Sequence, residues 1–195
     1  MAMMRWRADT EAPTMLASAF DLSTFGFFER RSVREFITFF CRTIVQRCAP
    51  GMRTSVNHDK YVVHVHMRSD GLAGVVVADS EYPERVAFTA INSLLLNFHE
   101  AHGQTWPVTT TDVALSFPAL DRAIVEFQDP AKADKLTAVQ KDLDKTRGHV
   151  QKTMEALLDR GTQLENLVAQ SDDLSMQSKM FYQNAAKANR CCVLM

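Results

Sequence analysis

The sequence predicts an α+β domain followed by a long helical segment. Three observations carry this reading. Stretches of period-two and period-3.6 hydrophobicity follow one another in the order ββαβββαα, Asp129-Pro130-Ala131-Lys132 closes that part, and an apolar repeat of 3.5 residues then runs from Leu136 to Ala188. A chain of 195 residues, 46% of them hydrophobic, has room for one packed domain and an extension.

Two strands are expected first, Met3 to Ala8 and Thr14 to Phe20, with Asp9-Thr10-Glu11-Ala12-Pro13 as turn chemistry between them. From Arg31 to Cys48 the residues Val33, Phe36, Ile37, Phe40, Ile44 and Cys48 fall on one side of a helix that Ala49-Pro50-Gly51 ends. Phe39 stands off that stripe by more than about a third of a turn, at ~100° per residue. It is either a boundary aromatic half-covered by a loop or a docking residue for a further partner, and both readings stay open. Thr54 to Asn57, Lys60 to Arg68 and Leu72 to Asp79 read as an antiparallel meander, the last two joined at Asp70-Gly71. Pro83 opens a second helix to about Ala101 that is apolar nearly all round, which calls for cover beyond the sheet, and Pro118 opens a third through Phe127. The expected domain is a mixed or antiparallel five-stranded sheet with one helix on one face and two on the other. The boundaries are 1–128 for this domain, 129–134 for a linker, 135–190 for the coiled-coil segment and 191–195 for a tail.

The repeat places Leu136, Val139, Leu143, Val150, Leu157, Leu164, Leu167, Leu174 and Phe181 on one seam, with Ala185 and Ala188 beyond them. Thr146, Thr153, Ser171, Ser178 and Arg160 fall in the same seam. Hydroxyl layers, together with the helix-interior Gly148 and Gly161 at about 1 kcal/mol each against alanine, make a lone helix weak. An arginine closed into a seam needs acceptors from other helices, and in return it fixes register. As one straight helix the segment would extend roughly 80 Å at ~1.5 Å per residue, so folding back onto the domain requires breaks, most cheaply near Gly148 and Gly161. Met154, Leu158, Met176 and Met180, off the seam, are the expected contacts to the domain.

Composition and motifs exclude several classes. A net charge of −1 with no basic block argues against nucleic acid. No apolar run approaches the ~20 residues of a bilayer span, and charged Arg5, Arg7 and Asp9 interrupt any signal core, so a cytoplasmic location with reduced cysteines is expected. His64 and His66 share one strand face but lack a third ligand in a recognisable pattern, and no metal is assigned. No nucleophile–base pair or phosphate loop is present, which leaves no catalytic residues, no cofactor and no small-molecule substrate. The rival classes are a lipid-anchored coiled-coil tether or adaptor and, more remotely, an acyltransferase using Cys41 or Cys48.

Cys192-Val193-Leu194-Met195 is a C-a-a-X box whose final Met favours farnesyl, and the adjacent Cys191 suits palmitoylation. One lipid chain anchors reversibly and a second makes attachment stable.

These features, with Ser32-Val33-Arg34-Glu35-Phe36, Ser69 to Val76, Glu81-Tyr82-Pro83, Trp106-Pro107-Val108, Leu157-Leu158-Asp159-Arg160-Gly161 and Gln177-Ser178-Lys179, make the chain resemble the prenylated longin-type R-SNAREs over nearly all its length. The resemblance implies a profilin-like longin domain and an R-SNARE motif acting in membrane fusion. It also implies that Arg160 is the ionic-layer arginine meeting three Q-SNARE helices in a parallel four-helix bundle. Phe39 would dock the SNARE segment back onto the longin domain in an autoinhibited state, and the chain would cycle onto Golgi, endoplasmic reticulum, endosomal or vacuolar membranes.

Overall fold

The computed structural model describes residues 1–10, 12–137, 149–158 and 161–191, the backbone alone over 134–137 and 186–191. Strands β1 (Ala2–Arg5), β2 (Thr14–Ser18), β3 (Arg53–His58), β4 (Tyr61–Met67), β5 (Leu72–Asp79) and β6 (His149–Thr153) form one sheet in the order β2-β1-β5-β4-β3-β6. The first five pair antiparallel, and β6 joins β3 in parallel. The helices are α1 (Arg30–Val45), α2 (Glu84–His102), α3 (Pro118–Glu126), α4 (Pro130–Thr137), α5 (Met154–Leu157), α6 (Leu164–Gln170) and α7 (Met176–Cys191), with a short 3₁₀ turn at Trp106–Val108.

β1 stops at Arg5, short of the expected Ala8. The backbone N–H of Trp6 still donates to Gly71, but Thr10 then turns back onto the Arg7 carbonyl through both its N–H and its hydroxyl, which takes the chain out of the sheet. α1 ends at Val45 rather than Cys48, because the N–H groups of Arg47 and Cys48 reach back only three residues, to Ile44 and Val45. The 129–134 stretch, expected as a linker, is the start of α4, where Ala133 is buried and the helix packs on α2.

Strand alternation sorts two cores. Met3, Leu16, Leu72 and Val76 meet Ala87, Phe88, Ile91, Leu94, Leu95 and Phe98 of α2, with Trp106, Phe117 and Leu120 behind them. The extra cover that the all-round apolar pattern of α2 requires is thus supplied by α3 and α4. α2 lies so close to β5 that a Cβ on Gly74 would fall 2.8 Å from Ile91 Cγ2. On the other face Met4, Val56, Val63, Val65, Met67 and Val75 meet Phe40, Cys41, Ile44 and Val45 of α1. This second core continues into Met154, Leu157, Leu158, Leu164, Val168 and Leu174 of the C-terminal segment.

The C-terminal segment is therefore not the single rod its heptads describe. Its described residues form a strand and three helices wrapped on the domain. One break falls where expected, at Gly161, whose φ of +95° turns the chain between α5 and α6, and a second falls at 171–175, between α6 and α7. Gly148 lies outside the described residues.

A side chain at 161 strains this turn and at the same time favours a continuous helix by about 1 kcal/mol. Gly161→Ala is therefore expected to shift the balance away from the wrapped arrangement by roughly tenfold or more. Hydrogen exchange of amides 164–182 checks this: they should lose protection in the variant while β4 and β5 keep theirs.

Candidate functional site

The candidate functional surface is the seat of the C-terminal segment on α1 and β3. It has an edge pairing, an apolar layer and a polar rim.

At the edge, β6 aligns His149 with Arg53 and Thr153 with Asn57. Ser55 Oγ lies 2.9 Å from His64 Nδ1 and 3.0 Å from His149 Nε2, and His149 Nε2 is also 2.9 Å from Glu84 Oε1. A carboxylate only accepts, so His149 Nε2 carries a proton that Glu84 and Ser55 share. The Ser55 hydroxyl then donates to His64 Nδ1, and His64 carries its single proton on Nε2, where no partner lies among the described residues. The Phe88 ring stands edge-on to both imidazoles at 5.4 Å. Burial, reinforced by His149, pushes His64 down to about 4. His66 faces α2 as well, with Nδ1 2.8 Å from Asn92 Oδ1.

After β6 the Thr153 hydroxyl accepts from the N–H of Ala156 and caps α5, which turns Met154 and Leu157 into the α1 core. Phe39, at 8% exposure, belongs to that same cluster, and its ring lies against those of Phe36 and Phe40 on α1. Each such side chain contributes about 1.5–3 kcal/mol on full burial.

Along the rim, Glu35 Oε2 accepts from the N–H of Ser175 at 3.1 Å and the hydroxyl of Ser178 at 2.7 Å. These two serines are the main reason the Glu35 carboxyl is held at about 2. Arg42 donates to Asp173 at 2.6 Å and to Asp112, tying the segment to the loop before α3. Phe36 stacks on Tyr182 with ring centroids 4.9 Å apart.

Among the seam residues, Leu157, Leu164 and Leu174 are buried, Leu167 packs partly against the core, and Val150 and Phe181 are half-buried. The side chains of Leu136, Val139, Leu143, Arg160, Cys191 and Cys192 lie outside the described residues. Of the four off-seam residues expected to touch the domain, Met154 and Leu158 are buried, but Met176 and Met180 are 74% and 57% exposed. Their exposure follows from the break at 171–175, which lets α7 turn Tyr182 rather than its methionines toward α1. Glu35, Arg42, Ser55, Glu84, His149 and Tyr182 were missed in sequence. One signal existed for two of them, because Glu35, Phe39 and Arg42 fall at i, i+4 and i+7, one stripe of α1. Cys41 and Cys48 are buried free thiols, and burial pushes Cys41 up to about 11, a packing residue rather than a nucleophile.

Fold and seat together define a longin domain that carries its own SNARE segment. A family model for the regulated-SNARE-like longin domain matches residues 22–124, and the synaptobrevin model matches 135–194. The synaptobrevin homolog ykt6 of Schizosaccharomyces pombe is 45% identical over 189 residues, 96% of this chain and 95% of its own. The synaptobrevin homolog YKT6 of Saccharomyces cerevisiae is 44% identical over 192 residues (97% and 96%), and the VAMP-like protein YKT61 of Arabidopsis thaliana 40% over 195 (100% and 98%). The chain belongs to the longin-type synaptobrevin family of these Ykt6 homologs, SNARE proteins of membrane trafficking and not enzymes. Among the described residues no helix is long and apolar enough to cross a membrane.

Two outcomes are expected from this seat. An unfolded histidine protonates near 6.5 and His64 in the fold near 4, so the unfolded chain binds more protons across that interval. Stability from His64 is full above pH 6.5 and falls by about 3 kcal/mol as the pH drops to 4. Glu35, held at about 2 against an ordinary 4.5, adds its own loss only below 4.5. Calorimetric Tm values between pH 7 and 4.5 should decline in the wild type and much less in His64→Gln. Secondly, Ser178 is fully buried against Glu35, so Ser178→Asp sets two carboxylates face to face and costs the seat about 3 kcal/mol or more. Exchange of amides 176–182 reads the loss, and Glu35→Gln in the same chain should return part of the protection.

Proposed function

We propose that this protein is an R-SNARE that drives vesicle docking and fusion by zippering residues 136–188 with three Q-SNARE helices, and that its longin domain holds the segment back until those partners arrive. The observation that carries the reading is the double use of the seam: Leu157, Leu164 and Leu174, which the heptads assign to a bundle interior, are buried against the domain's own core. Residues occupied in one packing are withheld from the other, which is the physical content of autoinhibition. Phe39, with Glu35 and Arg42 on the same stripe of α1, is the docking residue. Arg160 is the ionic-layer residue, whose guanidinium needs glutamine acceptors once closed into a bundle. Farnesyl on Cys192 and palmitoyl on Cys191 attach the chain reversibly to the cytosolic faces of Golgi, endoplasmic reticulum, endosomal or vacuolar membranes.

The test is reconstitution of the farnesylated chain with sets of Q-SNAREs. A fusogen forms an SDS-resistant four-helix complex and mixes liposome lipids, and Arg160→Leu abolishes or strongly slows both, whereas a mere tether tolerates the substitution. Phe39→Glu is expected to speed assembly by about tenfold or more, since a buried aromatic of this kind contributes ~1.5–3 kcal/mol. Unchanged assembly kinetics together with unchanged amide exchange of 149–182 would remove Phe39 from the latch.

A further inference from the structure

Outside the seat, one surface has an unexplained composition. Phe27 and Phe28 precede α1 with 78% and 84% of their surfaces exposed, their rings edge to face at 5.5 Å. They sit in an ordered turn: the N–H groups of Glu29 and Arg30 both donate to the Gly26 carbonyl, and Gly26 N–H donates back to the Glu29 carboxylate. Two adjacent phenylalanines held outward on a fixed turn are an exposed apolar patch of the kind that marks an interaction site. Arg30, Arg31 and Arg34 follow them in the chain, all exposed, with Arg30 donating to the Phe25 carbonyl, Arg31 paired with Glu35 and Arg34 lying over the Phe20 ring at 5.2 Å.

Three carboxylates lie in the same stretch, and each is engaged locally. Glu35 serves Ser175 and Ser178 as well as Arg31, Asp21 accepts from Ser23 and Gln128, and Glu29 accepts from Gly26. The pairing of α1 with the C-terminal segment then adds to this pole. Arg42 meets Asp173, Glu35 meets Ser178 and Phe36 meets Tyr182, so α7 runs antiparallel to α1. Past Tyr182 it has nine residues, about 14 Å, to reach Cys191, while α1 needs six, about 9 Å, to return from Phe36 to Arg30. The end that carries the cysteine tail and the aromatic turn therefore emerge at one pole. α7 contains Lys179, Lys187 and Arg190 and no acidic residue.

We propose that Phe27 and Phe28 form a wedge that enters the headgroup boundary of an anionic bilayer, with Arg30, Arg31 and Arg34 on the lipid phosphates. The coincidence with the tail rests on the lipid-anchor reading above, whereas the wedge itself needs no lipid modification. Aromatic rings buried at the acyl boundary supply the hold, and the basic groups choose an anionic surface.

The experiment uses the full chain with Cys191→Ser and Cys192→Ser, which isolates the wedge from any anchor, and phosphatidylcholine vesicles with and without phosphatidylserine. Partitioning onto the phosphatidylserine vesicles is expected. It should fall at least about tenfold in Phe27→Ser/Phe28→Ser, and Arg30→Gln/Arg31→Gln should remove most of the dependence on phosphatidylserine and on salt. A Phe27→Trp probe should shift its emission to the blue and be quenched by brominated lipid. Binding that is absent, indifferent to phosphatidylserine or unchanged by the serine pair overturns the inference, while leaving the lipid anchor to be judged separately on the farnesylated chain. If Phe27→Trp in the farnesylated chain is already blue-shifted without vesicles, the chain's own lipid covers the pair and the wedge is rejected.

Discussion

The open edge of β3 is the constraint on which the rest depends. A five-stranded sheet ending at β3 would present a row of unpaired N–H and C=O groups, the feature that makes edge strands bind other chains. β6 closes that edge, and because it runs parallel to β3 it follows that strand only after β4, β5 and the helices, not across a tight turn. The pairing register then sets the contacts of the whole segment. It places His149 against Ser55 and Glu84, and it ends at Thr153, whose hydroxyl caps α5 and starts Met154 and Leu157 into the α1 core. A strand slipped by one residue would turn His149 to the other face and leave Ser55 and Glu84 without it.

The segment's residues suit two incompatible packings. Val150 and Thr153 are β-branched and fit a strand, yet both fall on the 3.5-residue seam. Ser171 and Ser178 would be small layers in the proposed bundle, while in the wrapped form Ser178 is a buried hydrogen-bonding group facing Glu35. Gly161 weakens a continuous helix and is also the residue that the α5–α6 turn requires at φ +95°. Positions that look like flaws in a coiled coil are therefore the ones that the alternative conformation uses.

Most of the domain was legible because each element has its own period and punctuation. β5 spans Leu72–Asp79 as expected after the Asp70-Gly71 turn, and α2 begins one residue after Pro83. The C-terminal segment was legible in composition and opaque in conformation. His149-Val150-Gln151-Lys152-Thr153 belongs to a heptad in sequence and to a sheet in space, since pairing with an open edge outweighs a helix propensity worth tenths of a kcal/mol per residue. The exposed Met176 and Met180 show the same limit: spacing places them off the seam, but only the turn at 171–175 decides which face of α7 meets α1.

Apolar burial alone would leave the seat poorly defined, because it is non-directional and α7 offers similar surface one helical turn away. The rim supplies direction. Arg42 reaches Asp173 and Asp112 together, Glu35 accepts from an N–H and a hydroxyl at once, and Phe36 stacks on Tyr182, so a shift of one turn along α1 breaks all three. These groups lie partly in solvent, and ion pairs of that kind contribute at most about 1 kcal/mol each. They therefore fix where α7 sits without deepening the well by much. A segment whose rim contacts are directional but shallow has a defined resting place, and under the function proposed above partners that offer its leucines burial in a bundle would draw it out.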